Sequence, residues 1–283
     1  MRQGGSGLRL TRDDAGGQPC VSEVIHSRRR IAHMPMTTPS TTTGVLFVAV
    51  VLAVAALFIY AALQSPGRPD WRARGVVMIV LVFWLVVPAV LAIRGILDRY
   101  SPPPAPGFIL IGLITLGTVV LAFSTFGARL AGGIPLAGLV GYQVFRVPLE
   151  WVLHELYSEG VIPVQMTYAG QNFDIATGVL AAALALWLWK GHRTLWLVTV
   201  WNVVGLVLLI NIVTVAILST PASFRYFMND PANLLPSTFP YVWLPAFLVQ
   251  AALFGHLLVF RVIGRSLIAP KRTLQPTPGS GRG

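Results

Sequence analysis

Apolar and polar residues in this chain fall into blocks. Seven apolar runs, each close to the roughly 20 residues a helix needs to cross the hydrocarbon of a bilayer, are separated by short polar or Pro- and Gly-rich connections. They lie at about 44–63 (GVLFVAVVLAVAALFIYAAL), 75–97, 107–126, 135–158, 174–190, 194–218 and 239–262. The pattern predicts an all-α integral membrane protein, a polytopic helical bundle of about seven transmembrane spans. Pro88 is expected to kink the second span. The segment SPPPAPG (101–107) cannot continue a helix and separates the second span from the third. The fourth run is the most polar. It reads either as a crossing or as a re-entrant or interfacial helix, which would leave six crossings.

Residues 1–43 are polar, rich in Gly and Arg, and without periodicity, so they read as a disordered tail. They do not read as a signal peptide, because the apolar run begins only at Gly44. Met34 and Met36 offer alternative starts, which would place the first 33 residues upstream of the true chain. The membrane domain is expected over 44–266, and a disordered cytoplasmic tail over 267–283.

Composition narrows the class. The 283 residues are 55% hydrophobic and 11% charged, with a mean hydropathy of +0.70. A soluble domain has about a quarter of its residues charged. The net charge of +11 does not point to nucleic acid, because the basic residues are scattered through connections and tails and not gathered on one folded face. Cys20 is the only cysteine, so no internal disulfide and no thiolate metal site can form. Counted from Met34 with the N-terminus outside, the inner side holds Arg68, Arg72, Arg74, Arg129, Lys190, Arg193 and the basic C-terminus, against Arg94, Arg99 and Arg225 outside. That bias predicts an N-terminus outside and a C-terminus on the cytoplasmic side. Counting the six arginines of the first 30 residues would nearly balance the sides. Trp187, Trp189 and Trp196 flank Lys190 and Arg193 like an aromatic belt.

The fourth run, GYQVFRVPLEWVLHELYSEG (141–160), carries the candidate chemistry. At about 100° per residue, Gln143, Arg146, Glu150, His154 and Tyr157 fall within an arc of about 80°. Each mid-bilayer charge costs about 2.5–3.5 kcal/mol on insertion scales, so this seam must face other helices or a wet cavity. Arg146 and Glu150, one turn apart, are expected to pair. Pro148 between them removes a helix hydrogen bond and is expected to bend the helix. Read functionally, Glu150 is a titrating group, Arg146 its counter-charge or an anion anchor, and His154 and Tyr157 an entrance. Read structurally, the seam is an internal lock. Asn172 and Asp174, at the start of the fifth run, are candidates for helix capping and for ligand contact. Elsewhere, Asn202 and Gly205 read as packing positions and His256 as a satisfied interior histidine. In the outer connection 219–240, Asp230-Pro231 is expected to start a short helix.

Motif chemistry is sparse. There is no HExxH, G-x-S-x-G, P-loop or dinucleotide fingerprint. No cofactor is expected, and a metal site has only Glu150, His154 and Asp174 as weak candidates. The run R-V-P-L-E-W-V-L-H-E-L-Y (146–157) followed by I-P-V-Q-M-T-Y-A-G-Q-N-F-D-I-A-T-G (162–178), with W-N-V-V-G-L (201–206) and F-P-Y-V-W-L-P (239–245), resembles a signature of multi-pass bacterial membrane proteins. The resemblance implies no activity. It does imply that the seam and the 159–178 connection form one unit. The expected function is binding or translocation of a small polar or anionic solute, or of protons. Two alternatives stand beside it: a metal-assisted intramembrane enzyme using Glu150, His154 and Asp174, and a non-catalytic membrane partner or assembly protein.

Overall fold

The computed structural model describes residues 37–64, 71–101, 103–192 and 194–268. The expected tails lie almost wholly outside these residues. Among the described residues all regular structure is helical: α1 (Thr41–Gln64), α2 (Trp71–Ile93), α3 (Pro106–Phe123), α4 (Thr125–Gly133), α5 (Leu136–Gly141), α6 (Arg146–Ser158), α7 (Asp174–Trp189), α8 (Leu195–Leu218) and α9 (Val249–Ile268). A 3₁₀ turn, Tyr142–Phe145, joins α5 to α6, and a π-helical turn, Leu244–Leu248, leads into α9.

Five helices are long and apolar enough to cross a membrane: Thr41–Gln64, Gly75–Ile93, Pro106–Phe123, Leu195–Leu218 and Leu244–Ser266. The pair Thr125–Gly133 and Leu136–Ser158, bent by 108°, counts as a sixth. The chain is therefore an all-α multi-pass membrane protein with five to six candidate spans among the described residues, against an expectation of about seven, or six if the fourth run does not cross.

Two local causes account for the difference. Ser124 interrupts the third run: its hydroxyl donates to the Leu121 carbonyl and accepts from the Gly127 N–H, capping α4 as a separate helix. Pro135 then follows Ile134 and the chain turns sharply. The expected fifth span, 174–190, is a helix of 16 residues. It is short because the 159–173 connection folds back into the bundle, with Gln165, Met166, Thr167 and Asn172 all buried. The polar helix before it belongs to the bent pair, which is either one broken span or a re-entrant loop.

Side-chain contacts mark the two ends of the bundle. At one end, Thr43 and Ser40, at the start of α1, donate to the Glu159 carboxylate just beyond α6. Phe108, at the start of α3, packs against Phe224 beyond α8. At the other end, Arg261 on α9 donates to the carbonyls of Ala122 and Ser124, and Arg265 to that of Ala128. Around the first end, no helix starts at Pro231. Asn233 instead ties the connection back to α8, its side chain donating to Ala216 O and its N–H to Ser219 O, and a 3₁₀ turn follows at Leu235–Ser237.

The interior joins α1, α6, α8 and α9 around Phe47, Leu153, Leu156, Leu209 and Leu248. A second cluster joins α4, α5, α7 and α9 around Leu130, Val140, Ala181 and Val259. Large apolar side chains also point outward, among them Ile79, Phe83, Leu113, Leu116 and Val207. A contiguous apolar exterior of this kind is stable only against hydrocarbon.

Candidate functional site

The site is built where two irregular pieces of backbone, the 3₁₀ turn 142–145 and the connection 159–173, meet four helices. The 3₁₀ turn 142–145 sits just before α6, so Pro148 falls in the first turn of α6. The residues before it are helical too, so its missing N–H leaves the Val144 carbonyl without its i+4 donor, and the irregularity is the 3₁₀ turn that contains Val144. Gly178 lets α7 approach closely: a Cβ there would lie 2.8 Å from Val147 Cγ2 and 3.2 Å from Arg146 Cβ. The connection 159–173 closes over the gap through Gly170, where a Cβ would collide with the Val164 carbonyl.

Arg146 is 1% exposed and lies about 20 Å along the helix axis from Glu159, deep in the bundle. It does not pair with Glu150. Its Nη1 donates to Asp174 Oδ1 at 2.7 Å and its Nη2 faces His256 Nε2 at 3.2 Å. A guanidinium has no acceptor, so Nε2 of His256 must supply the lone pair. Nδ1 then carries the proton and donates to Asn202 Oδ1 at 2.8 Å, while Asn202 Nδ2 donates to the His256 carbonyl at 3.1 Å. These bonds assign one neutral tautomer to His256. Asp174, Arg146, His256 and Asn202 thus form a chain linking α7, α6, α9 and α8.

Glu150 is 2% exposed and lies on a second branch. Its Oε1 accepts from Asn172 Nδ2 at 2.6 Å. The same amide donates to Met166 O at 3.1 Å, and its oxygen accepts from the Asp174 N–H at 3.2 Å. Asn172 therefore accepts from the first N–H of α7, the capping role expected of it, and also holds Glu150, while Asp174 spends its carboxylate on Arg146. Glu150 Oε2, Arg146 Nε and Thr177 Oγ1 are buried without a hydrogen-bond partner among the described residues. A buried polar atom left unmade costs about 1–3 kcal/mol.

The other seam residues lie apart. Gln143 is buried and donates to Ala252 O at 2.9 Å, one turn of α9 before His256. The His154 ring stacks on Tyr168 at 4.5 Å, with Tyr157 at 6.0 Å, so this aromatic group sits at the partly exposed edge of the connection. Among the described residues, no three His, Cys, Asp or Glu side chains come together as a metal-binding group, and Glu150, His154 and Asp174 do not form one. His256 and Asn202 were legible only as interior packing positions; their place beside Arg146 has no local signal.

Outside the spans, partial burial works to raise the Glu159 carboxyl, but hydrogen bonds from Thr43 and Ser40 outweigh it and hold its pKa below the ordinary value. Burial pushes the Tyr100 phenol up, against its hydrogen bond to Ser237.

Comparisons with protein-family models, with curated proteins and with solved structures found no match. Fold and site together define a polytopic α-helical membrane protein with a buried ionic cluster at the join of the 159–173 connection and four helices.

Proposed function

We propose that the chain binds and passes protons, or a small solute presenting hydrogen-bond donors, at Glu150. The observation that carries this reading is the asymmetry of the cluster. Arg146 already has an acidic partner in Asp174 and a neutral one in His256, so it is poorly placed to anchor an anion. Glu150 is the extra carboxyl: one oxygen is held by Asn172 and the other has no partner among the described residues. Buried ionisable groups in membrane proteins cluster on ion and proton routes. The 159–173 connection supplies the irregular backbone that such sites need at depth. Arg129, Lys190, Arg261 and Arg265 are grouped at the bundle end away from Glu159, with no described acidic side chain among them. This supports a cytoplasmic C-terminus, and the resemblance to bacterial multi-pass proteins supports a bacterial inner membrane.

The test is proton flux into vesicles carrying a pH-sensitive dye and purified protein. Wild type is expected to dissipate an imposed gradient faster than empty vesicles. The isosteric Glu150→Gln is expected to abolish the difference while unfolding at a temperature close to wild type. Equal flux from both proteins refutes the role of Glu150. Flux no greater than that of empty vesicles refutes proton passage.

A further inference from the structure

A half-enclosed groove of about 260 Å³ runs between α1, α2, α3 and α9. Val80, Leu81, Trp84, Leu121, Phe247 and Phe254 line it, and its wall presents only apolar surface. It lies away from the ionic cluster and shares no residue with it. A dry cavity of about 150 Å³ accommodates benzene, so this groove has room for a length of hydrocarbon chain. Val76 and Val80, which line it, are also exposed on the outer face of α2 beside Ile79 and Phe83. The groove therefore opens sideways, toward the bilayer interior.

One end of the groove is cationic. Arg261 lies seven residues beyond Phe254, on the same face of α9 and about 10 Å further along its axis. Its Nη1 donates to the Ala122 and Ser124 carbonyls, which lie between the lining residues Leu121 and Phe126. Its guanidinium also lies over the Phe123 ring at 5.9 Å, and Nη2 and Nε have no hydrogen-bond partner among the described residues. Arg265, one turn on, donates a single bond to Ala128 O and is otherwise exposed, and Arg129 follows Ala128. None of the three has an acidic partner among the described residues, whose ion pairs are Arg146–Asp174 and Arg225–Asp230. A fixed guanidinium with free donors, at the end of a dry groove open to lipid, matches a phosphate on a hydrocarbon chain.

We infer that this groove holds one acyl chain of an anionic glycerophospholipid, with its phosphate bound by Arg261 and screened by Arg265. The experiment is native mass spectrometry of the full chain in mild detergent, titrated with phosphatidylglycerol or phosphatidylethanolamine. Wild type is expected to bind one phosphatidylglycerol about fivefold more tightly than phosphatidylethanolamine, as one cation at an anionic lipid surface contributes about 1 kcal/mol. Arg261→Gln should abolish that preference and Arg261→Lys should keep most of it. Val80→Trp fills the groove from its exposed side without touching the core, and should weaken both lipids equally. Arg265→Gln, at an exposed position, should lower the preference without removing binding, and keeps the headgroup test readable if Arg261→Gln does not fold. The inference is overturned if wild type shows no headgroup preference, or if the preference survives both arginine variants. Val80→Trp binding lipid as wild type does, or inorganic phosphate displacing the lipid regardless of chain length, overturns it too.

Discussion

Gly205→Ala is the smallest change that reaches the centre of the ionic cluster. A Cβ on Gly205 would lie 2.6 Å from His256 Cε1, 2.7 Å from Thr177 Cγ2 and 3.1 Å from His256 Nε2. Carbon atoms do not approach so closely, so the imidazole must move. It is held on both sides, by Arg146 at 3.2 Å and by Asn202 at 2.8 Å, and any shift lengthens one bond or both. The hydrogen bond to the charged guanidinium is worth about 1.5–3 kcal/mol and overpacking adds about 1–3 kcal/mol. Against this, alanine gains about 1 kcal/mol of helix propensity over glycine. The net expectation is a loss of about 1.5–5 kcal/mol. Gly112, in α3, is the control: a Cβ there meets nothing within 4 Å, so Gly112→Ala should be neutral or slightly stabilising. Thermal unfolding in one detergent, followed by circular dichroism, measures both. If Gly205→Ala is as stable as Gly112→Ala, His256 is not wedged between Arg146 and Asn202 and the chain of bonds described above is wrong.

Asp174→Asn leaves Arg146 buried without a counter-charge and should cost about 3–5 kcal/mol, whereas adding Arg146→Met should recover part of the loss; strictly additive losses in a double-mutant cycle would remove the pair from the account. Glu159 is held below its ordinary pKa of about 4.3, so its bonds to α1 stabilise the fold above that value and are lost as pH falls through the lower folded-state pKa. Wild type should therefore lose more stability than Glu159→Gln between about pH 6 and pH 3, and parallel losses would contradict this. Arg225 and Asp230 lie 3.6 Å apart with the aspartate largely exposed, so Asp230→Asn should change stability by no more than about 0.5 kcal/mol; a larger loss by the same thermal assay would mean the pair is not solvent-screened.

Spans α1, α2, α3, α8 and the last crossing are legible in the sequence because each is an unbroken apolar run. The fourth and fifth are not, because crossing and re-entry depend on where the chain turns. Ile134-Pro135 and Ser124 set one turn, and both hide inside apolar stretches. The inward seam of α6 is legible too: helical period alone aligns Gln143, Arg146 and Glu150, and the structure buries all three. Their partners are not. Four-residue spacing suggested Arg146 with Glu150, but Arg146 reaches Asp174 28 residues away and His256 110 residues away. Periodicity reports one helix at a time, and contacts between helices leave no trace in it. Gly178 and Gly205 held the only hint, since both sit where another element comes closest.

The clasp between Glu159 and the start of α1 also bears on how the protein is made. Ser40 and Glu159 are 119 residues apart in sequence, and synthesis proceeds at about 5–20 residues per second. The first helix therefore enters the bilayer on the order of ten seconds before its clasp emerges. During that interval nothing in this clasp fixes its depth or rotation. Its clasp is completed by a residue translated after five more helices, α2 to α6, so the N-terminal span waits for more than half of the described helices before this contact can hold it.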